Sequence, residues 1–399
     1  MSIFSSLSLQ PDDFILKLNK EYRSDNREIK VNLGVGAYRD LEGRPYILPS
    51  VAEAEWRILS GNMDKEYQPI EGMQRLIEGS QRIVFGKNNS KIAGVQTIGA
   101  TGALSLAAQL LALGMSNKVA YIPDPTWANH AGIFSALGYQ VKSYPYLDKE
   151  QHTLAFDQLI NALKAMDPTS VVVFQGSCHN PTGIDPTNEQ WEQICQHVKQ
   201  QQLIPLFDLS YQGFGEGIDE DAFSVRHFFE EGIEMCVAVS HAKNFGLYGE
   251  RVGHLSVVTE SDERAKIVLS QLKTMIRSRY SSPPLHGARM ISEILNDEKL
   301  ELMWREDLRQ MRQRVQMMRT LLVDELEKCS QRQGIYEDLR RQKGFFSFLS
   351  FPEEAVNRLK SEYGIYMTGD SRINVAGLTV SQVPYVAEAI HSSRPIGIS

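Results

Sequence analysis

The sequence predicts an α/β protein: a large unit built on a mostly parallel sheet between helices, with a smaller α+β unit beside it. Three observations predict this. Short, continuously apolar, β-rich runs recur between residues 94 and 239, the way strands buried on both faces of a parallel sheet read. Each run ends in a polar or glycine-rich turn, after which a helical pattern follows. One long helical periodicity then begins at Asn296, long enough to join two units.

Taken in order, the run Gly94–Ile98 leads to Gly99-Ala-Thr-Gly102. A helix follows, with Leu104, Ala107, Ala108 and Leu111 at i, i+3, i+4 and i+7. Lys118–Ile122 leads to Asp124-Pro-Thr-Trp127 and a helical stretch that closes near Gly138. Ser170–Phe174 leads to Ser177-Cys-His-Asn-Pro-Thr-Gly183. Thr187, with Gln190 three residues on, then opens a helix whose apolar face is Trp191, Ile194, Cys195 and Val198. Leu203–Phe207 leads to Asp208-Leu-Ser-Tyr211, and Met235–Val239 to Ser240-His-Ala-Lys243. In the long helix, Leu300, Trp304, Leu308, Met311, Val315, Met318, Leu322 and Leu326 keep steps of three and four. Strand-like Gly344–Phe351 and Ser371–Ala376 belong to the smaller unit. The expected division is 1–44 as an N-terminal arm and part of the small unit, 45–310 as the large unit, and 311–399 as the small C-terminal unit.

Composition narrows the function. Forty-two Lys and Arg against forty-nine Asp and Glu give a net charge of -7, which argues against a basic nucleic-acid-binding face. No stretch reaches the ~18 uncharged apolar residues of a membrane span. Cys178, Cys195, Cys236 and Cys329 form no C-x-x-C pair. That excludes a disulfide framework and a cysteine-type zinc site, and fits a reducing cytoplasm. The nine histidines show no H-E-x-x-H spacing, so no metal site is expected.

In open α/β sheets, ligands sit at the carboxyl ends of the strands. Asn180, Asp208 and Lys243 follow three such ends, spaced 28 and 35 residues apart, each about one strand-helix-strand unit. They are placed to converge on one crevice. A desolvated lysine serves as nucleophile or general base. Beside an aspartate, it suits pyridoxal phosphate chemistry: the amine holds the aldehyde and the acid keeps the ring nitrogen protonated. The Gly99–Gly102 turn, before a buried helix, offers the N–H groups of Ala100 and Thr101 and the Thr101 hydroxyl to a phosphate. Ser240 and Arg251 add a hydroxyl and a charge. A dinucleotide-binding oxidoreductase fits poorly, since the turn is not G-x-G-x-x-G.

Ser240-His-Ala-Lys-Asn-Phe-Gly-Leu-Tyr-Gly-Glu-Arg-Val-Gly253 resembles the cofactor-lysine signature of the class I, fold-type I aminotransferases, within the aspartate and aromatic-amino-acid subgroup. The resemblance extends from Val31-Asn-Leu-Gly-Val-Gly-Ala-Tyr38 through His179-Asn-Pro-Thr-Gly183 and Asp208-Leu-Ser-Tyr-Gln-Gly213 to Arg372-Ile-Asn-Val-Ala-Gly377. It implies a seven-stranded large-domain sheet, pyridoxal 5'-phosphate as cofactor, and amino-acid and 2-oxo-acid substrates. It also implies a homodimer with shared active sites.

By the same resemblance, Lys243 matches the Schiff-base lysine and proton carrier, and Asp208 the partner of the pyridine nitrogen. Tyr211 and Asn180 match the donors to the phenolic oxygen, and Trp127 the residue stacked on the ring. Ala100, Thr101, Ser240 and Arg251 match the phosphate cradle, joined from the neighbouring chain by Tyr67. Arg372 matches the fork for the substrate α-carboxylate, with Gly36, Trp127 and Asn180 also on the substrate side. Arg277 matches the neighbouring chain's arginine for a side-chain carboxylate; Arg279, two residues on, is the other candidate. Gln175 departs from a common histidine, Ala242 from a common serine, and Gly99 from an occasional serine. The implied reaction is reversible transamination of L-aspartate, and of aromatic amino acids, with 2-oxoglutarate. The alternative is a primarily aromatic enzyme. A catalytically silent relative would have lost the lysine, which is present.

Overall fold

The computed structural model describes residues 2–10 and 12–394. Its centre is one seven-stranded sheet. In chain order the strands are β1 (Ile92–Ile98), β2 (Val119–Asp124), β3 (Gln140–Pro145), β4 (Val171–Gln175), β5 (Ile204–Leu209), β6 (Met235–Ser240) and β7 (Val252–Val258). Across the sheet the order is β1-β7-β6-β5-β4-β2-β3. β7 runs antiparallel to both its neighbours, and the remaining pairs are parallel. The central strands β4 and β6 are buried along their whole length, as their unbroken apolar runs require. The strand pattern read from the sequence therefore holds, with β3 and β7 added to it.

Two local readings are sharpened. Thr187 and Gln190 form the reciprocal capping box, with the Gln190 N–H donating to Thr187 Oγ1 at 3.3 Å and the Thr187 N–H to Gln190 Oε1 at 2.9 Å. Gly99–Gly102 is not a turn ahead of a helix; it is the first turn of the helix Gly99–Gly114. Glycine is a poor helix former, so the sequence favoured a loop. The Gly99 φ of +63° marks the sharp exit from β1.

The long helix spans Glu298–Ser330, with Asp297 as its N-cap, and is continuous through residue 310. Its buried stripe contains every apolar position the periodicity picked out. Polar contacts make it more than a spacer. Trp304 is fully buried, stacks on Phe245 at 4.5 Å, and donates from Nε1 to the Asn244 carbonyl at 2.7 Å. The helix thus holds the backbone next to Lys243. Further along, Arg319 donates to the carbonyls of Gly344 and Phe346, and Arg314 to those of Asp40 and Leu378.

The remaining strands are short. Phe346–Phe348 pairs antiparallel with Arg372–Asn374, and Val31–Asn32 pairs parallel with Ile365–Tyr366. The N-terminal segment therefore adds a strand to the C-terminal part of the chain.

Trp304→Phe keeps the stacking ring but leaves the Asn244 carbonyl without its donor. We expect a loss of about 1–2 kcal/mol, read as a lower urea midpoint at unchanged slope. An unchanged midpoint would show that this hydrogen bond contributes nothing net.

Candidate active site

The polar ends of the parallel strands meet in a cavity of about 160 Å³ lined by Ala100, Thr101, Trp127, Gln175, Asn180, Asp208, Ser210, Tyr211, Ser240, Lys243 and Arg251. A larger cavity, about 710 Å³, opens at the opposite end of the parallel strands, near Ile204 and Met235. Its lining is chiefly aliphatic, so the smaller one is the candidate for chemistry.

At one end lies an anion cradle. The Gly99 N–H donates to the Arg251 carbonyl at 3.1 Å, but no side chain caps the helix that begins there, so the N–H groups that follow are left for a ligand. Arg251 lies against this turn, close enough that a Cβ on Gly99 would fall 2.6 Å from its Nη2. A Cβ on Gly253 would meet the Gly99 backbone at 2.5 Å. Both positions therefore need glycine for β1, β7 and the guanidinium to approach this closely. Buried Ser240 supplies a hydroxyl from the end of β6.

In the middle stand Lys243 and Asp208. Lys243 Nζ lies 4.8 Å from the centre of the Tyr211 ring. Burial pushes its pKa down to about 8; Asp208 pulls it back up, while Arg251 and Arg372 lower it further. Asp208 is buried at the end of β5. Burial alone raises its pKa, but the hydrogen bond from His130, the Ser210 hydroxyl and the Lys243 charge outweigh that and hold it below the ordinary value. Ser210 Oγ donates to Asp208 Oδ1 at 2.5 Å, and His130 Nε2 lies 3.1 Å from Oδ2. Burial pushes the Tyr211 hydroxyl up, so it stays a donor at neutral pH.

At the far end, Arg372 is buried, with its guanidinium 4.1 Å from the centre of the Phe346 ring. It donates from Nη1 to Asn180 Oδ1 and from Nη2 to the Gly34 carbonyl, both at 2.8 Å. Its Nε is buried without a protein partner. Because Asn180 accepts on Oδ1, its Nδ2 remains a donor. Gly36 packs close by: a Cβ there would lie 2.9 Å from Phe346 and 3.5 Å from the Tyr211 hydroxyl.

Eleven of the thirteen predicted site residues therefore line this cavity or, in Arg372 and Gly36, contact residues that do. Trp127 is half-buried at its edge. Tyr67 and Arg277 do not line it within one chain. Tyr67 is 90% exposed, and Arg277 sits exposed at the end of the helix Asp262–Arg279, bonded to Ser281. Arg279 donates to Ser105 Oγ at 2.8 Å. Sequence reasoning missed His130, Thr126 and Ser210, and saw Gln175 only as a departure. His130 stands three residues after Trp127 at the start of the next helix, a spacing with no chemical signature of its own.

The model of the family "Aminotransferase class I and II" matches residues 28–390. The chain belongs to that family. As such, it is a pyridoxal-phosphate-dependent aminotransferase, and the donor set fits the cofactor: an uncapped helix start with Arg251 for the phosphate, an ionised buried acid, and a lysine of lowered pKa. The chain is 42% identical to an aspartate aminotransferase of Escherichia coli (strain K12), over 97% of this chain and 99% of that one. Among solved structures, it is similar to an aromatic-amino-acid aminotransferase from Burkholderia pseudomallei covalently bound to pyridoxal phosphate. The TM-score is 0.95 and the identity 38%, covering 98% and 100% of the two chains. An aromatic amino acids aminotransferase from Psychrobacter sp. B6, cocrystallised with aspartic acid, gives 0.94 and 38% over 98% and 99%. This aminotransferase has the fold expected of the family, a mostly parallel seven-stranded sheet between helices.

The lowered lysine pKa has a direct readout. In the protein freed of cofactor, the neutral amine of Lys243 forms as pH rises through about 8. Its rate of modification by an amine reagent should follow that midpoint. A midpoint at the ordinary lysine value of about 10.4 would refute the depressed pKa.

Proposed function

We propose that this aminotransferase moves amino groups between L-aspartate and 2-oxoglutarate, giving the 2-oxo acid and L-glutamate, with aromatic amino acids as a second substrate class. The observation that carries the reading is Arg372. Its buried planar fork is paired only with neutral oxygens of Asn180 and Gly34, an arrangement suited to a carboxylate brought in by a substrate. The second class is favoured by the names of the two solved relatives, one of which was cocrystallised with aspartic acid.

Pyridoxal phosphate, when bound, supplies an aldehyde for the incoming amine and a ring that draws electrons from the substrate's α-carbon. The uncapped helix start, Ser240 and Arg251 hold its phosphate. Asp208, kept ionised, holds the proton on its ring nitrogen. Tyr211 and Asn180 Nδ2 donate to its phenolic oxygen, and Trp127 serves as the platform for its ring. Arg372 and Gly36 fix the substrate's carboxylate and α-carbon. Lys243 is the amine that the substrate displaces and the base that takes the α-proton; a pKa about two units below an ordinary lysine keeps a useful fraction neutral near pH 7.

A second copy of the chain completes each site. Tyr67 reaches the neighbour's phosphate cradle, and Arg277 pairs with the side-chain carboxylate of a dicarboxylic substrate. The exposure of both residues in one chain supports this assignment. We divide the chain into 1–44, 45–310 and 311–399, the last two joined along the unbroken helix. Four unpaired cysteines favour a cytoplasmic location. Among the described residues, no helix is long and apolar enough to cross a membrane.

Arg277→Asp should lower kcat/KM for aspartate by about two orders of magnitude, the cost of leaving a buried carboxylate unpartnered, and spare phenylalanine. Equal loss for both substrates would remove Arg277 from the substrate site. The dimer is tested by mixing. Lys243→Ala chains, inactive on aspartate, and Arg277→Asp chains, impaired about a hundredfold, should give activity well above either when unfolded and refolded together, because one site of each hybrid then has both residues. No recovery in hybrids verified by mass would sink the shared site.

A further inference from the structure

Gln175 ends β4, and the register sets it beside Asp208 of β5. It is buried and makes three hydrogen bonds. Its Oε1 accepts from the Asn180 N–H at 2.8 Å, and its Nε2 donates to the Asn180 carbonyl at 2.8 Å and to Thr126 Oγ1 at 3.2 Å.

These contacts fix one end of a chain of hydrogen bonds and favour one direction along it. A backbone N–H only donates and a backbone carbonyl only accepts, so the two bonds to Asn180 leave the amide one orientation. Its Nε2 then donates to Thr126. The Thr126 oxygen, accepting there, has its own proton free for His130 Nδ1, 2.9 Å away. His130 is fully buried. With Nδ1 accepting, the ring proton sits on Nε2 and points at Asp208 Oδ2, 3.1 Å away. The amide of Gln175 has no titrating group, so its own orientation does not change with pH.

We propose that Gln175 is a positioning residue that, through Thr126, locks His130 in the neutral Nε2–H tautomer as a permanent donor to Asp208, while its other face fixes the Asn180 backbone. One uncharged side chain therefore sets both the acid that meets the cofactor's ring nitrogen and the amide that holds Arg372. The inference rests on the cofactor reading above and deepens it.

The tautomer is read from the ¹⁵N shifts of the His130 ring, assigned by comparison with His130→Gln, in the protein with and without pyridoxal phosphate. The expected result is a roughly tenfold or greater excess of Nε2–H over Nδ1–H, one buried hydrogen bond's worth, flat from pH 6 to about pH 9. Thr126→Val breaks the relay without adding charge and should collapse that excess. Thr126→Ser, which keeps the hydroxyl, should restore it. In Gln175→Glu, the side chain can only accept when ionised. The Thr126 proton is then drawn to the glutamate, and the ring should shift to Nδ1–H or to the imidazolium. The cofactor's visible band should change its pH midpoint in Thr126→Val and Gln175→Glu but not in Thr126→Ser. Nδ1–H or imidazolium in the unaltered protein, or an unchanged ring in Thr126→Val, overturns the proposal while leaving the cofactor reading intact. A protein that takes up no pyridoxal phosphate on Lys243 brings down both.

Discussion

Everything in this site depends on a carboxylate that stays charged where water does not reach it. Asp208 is buried at the end of a central strand, and burial by itself favours its neutral form. The protein answers with donors. Ser210 supplies one from two residues on, His130 supplies another from the first turn of the helix Asn129–Ala136, and Lys243 supplies a positive charge. A protonated acid would have no charge to offer a pyridine nitrogen. The parallel sheet makes the concentration possible, because strand ends bring residues from distant loops together with little extra backbone.

The surrounding charges are mostly positive. Arg251, Lys243 and Arg372 lie along one crevice with Asp208 as their counterweight. The two other cations lower the lysine's pKa, which leaves more of the amine neutral and free to take a proton near neutral pH. They also give the crevice a need for anions at both ends. Substrate binding and lysine activation thus arise from the same crowding of like charge.

Much of this was legible in the sequence, for reasons that differ between elements. β4, β5 and β6 announced themselves because strands buried on both faces have no alternation to obscure. The long helix was plain because its stripe keeps period from Leu300 to Leu326. β7 escaped notice because His254 and Ser256, buried and hydrogen-bonded to each other, interrupt its apolar run. The strands Phe346–Phe348 and Arg372–Asn374 lie inside the runs read as strand-like, whereas the two-residue strands Val31–Asn32 and Ile365–Tyr366 are too short for any period to show. Among site residues, Lys243, Asp208 and Asn180 were visible from their places after strands. Thr126, His130 and Gln175 were not, because their meaning lies in hydrogen bonds to one another and no spacing records that.

The bare start of the helix at Gly99 has a consequence for how a newly made chain is loaded. Backbone N–H groups and a guanidinium recognise charge and tetrahedral shape, not the ring attached to them. Sulfate and inorganic phosphate satisfy the same groups. Before the aldehyde is captured, the vitamin-derived molecule must compete with far more abundant oxyanions, and it prevails because only it can also engage the acid and the amine. Retention is a property of the assembled trio, while first contact is open to any small oxyanion in the medium.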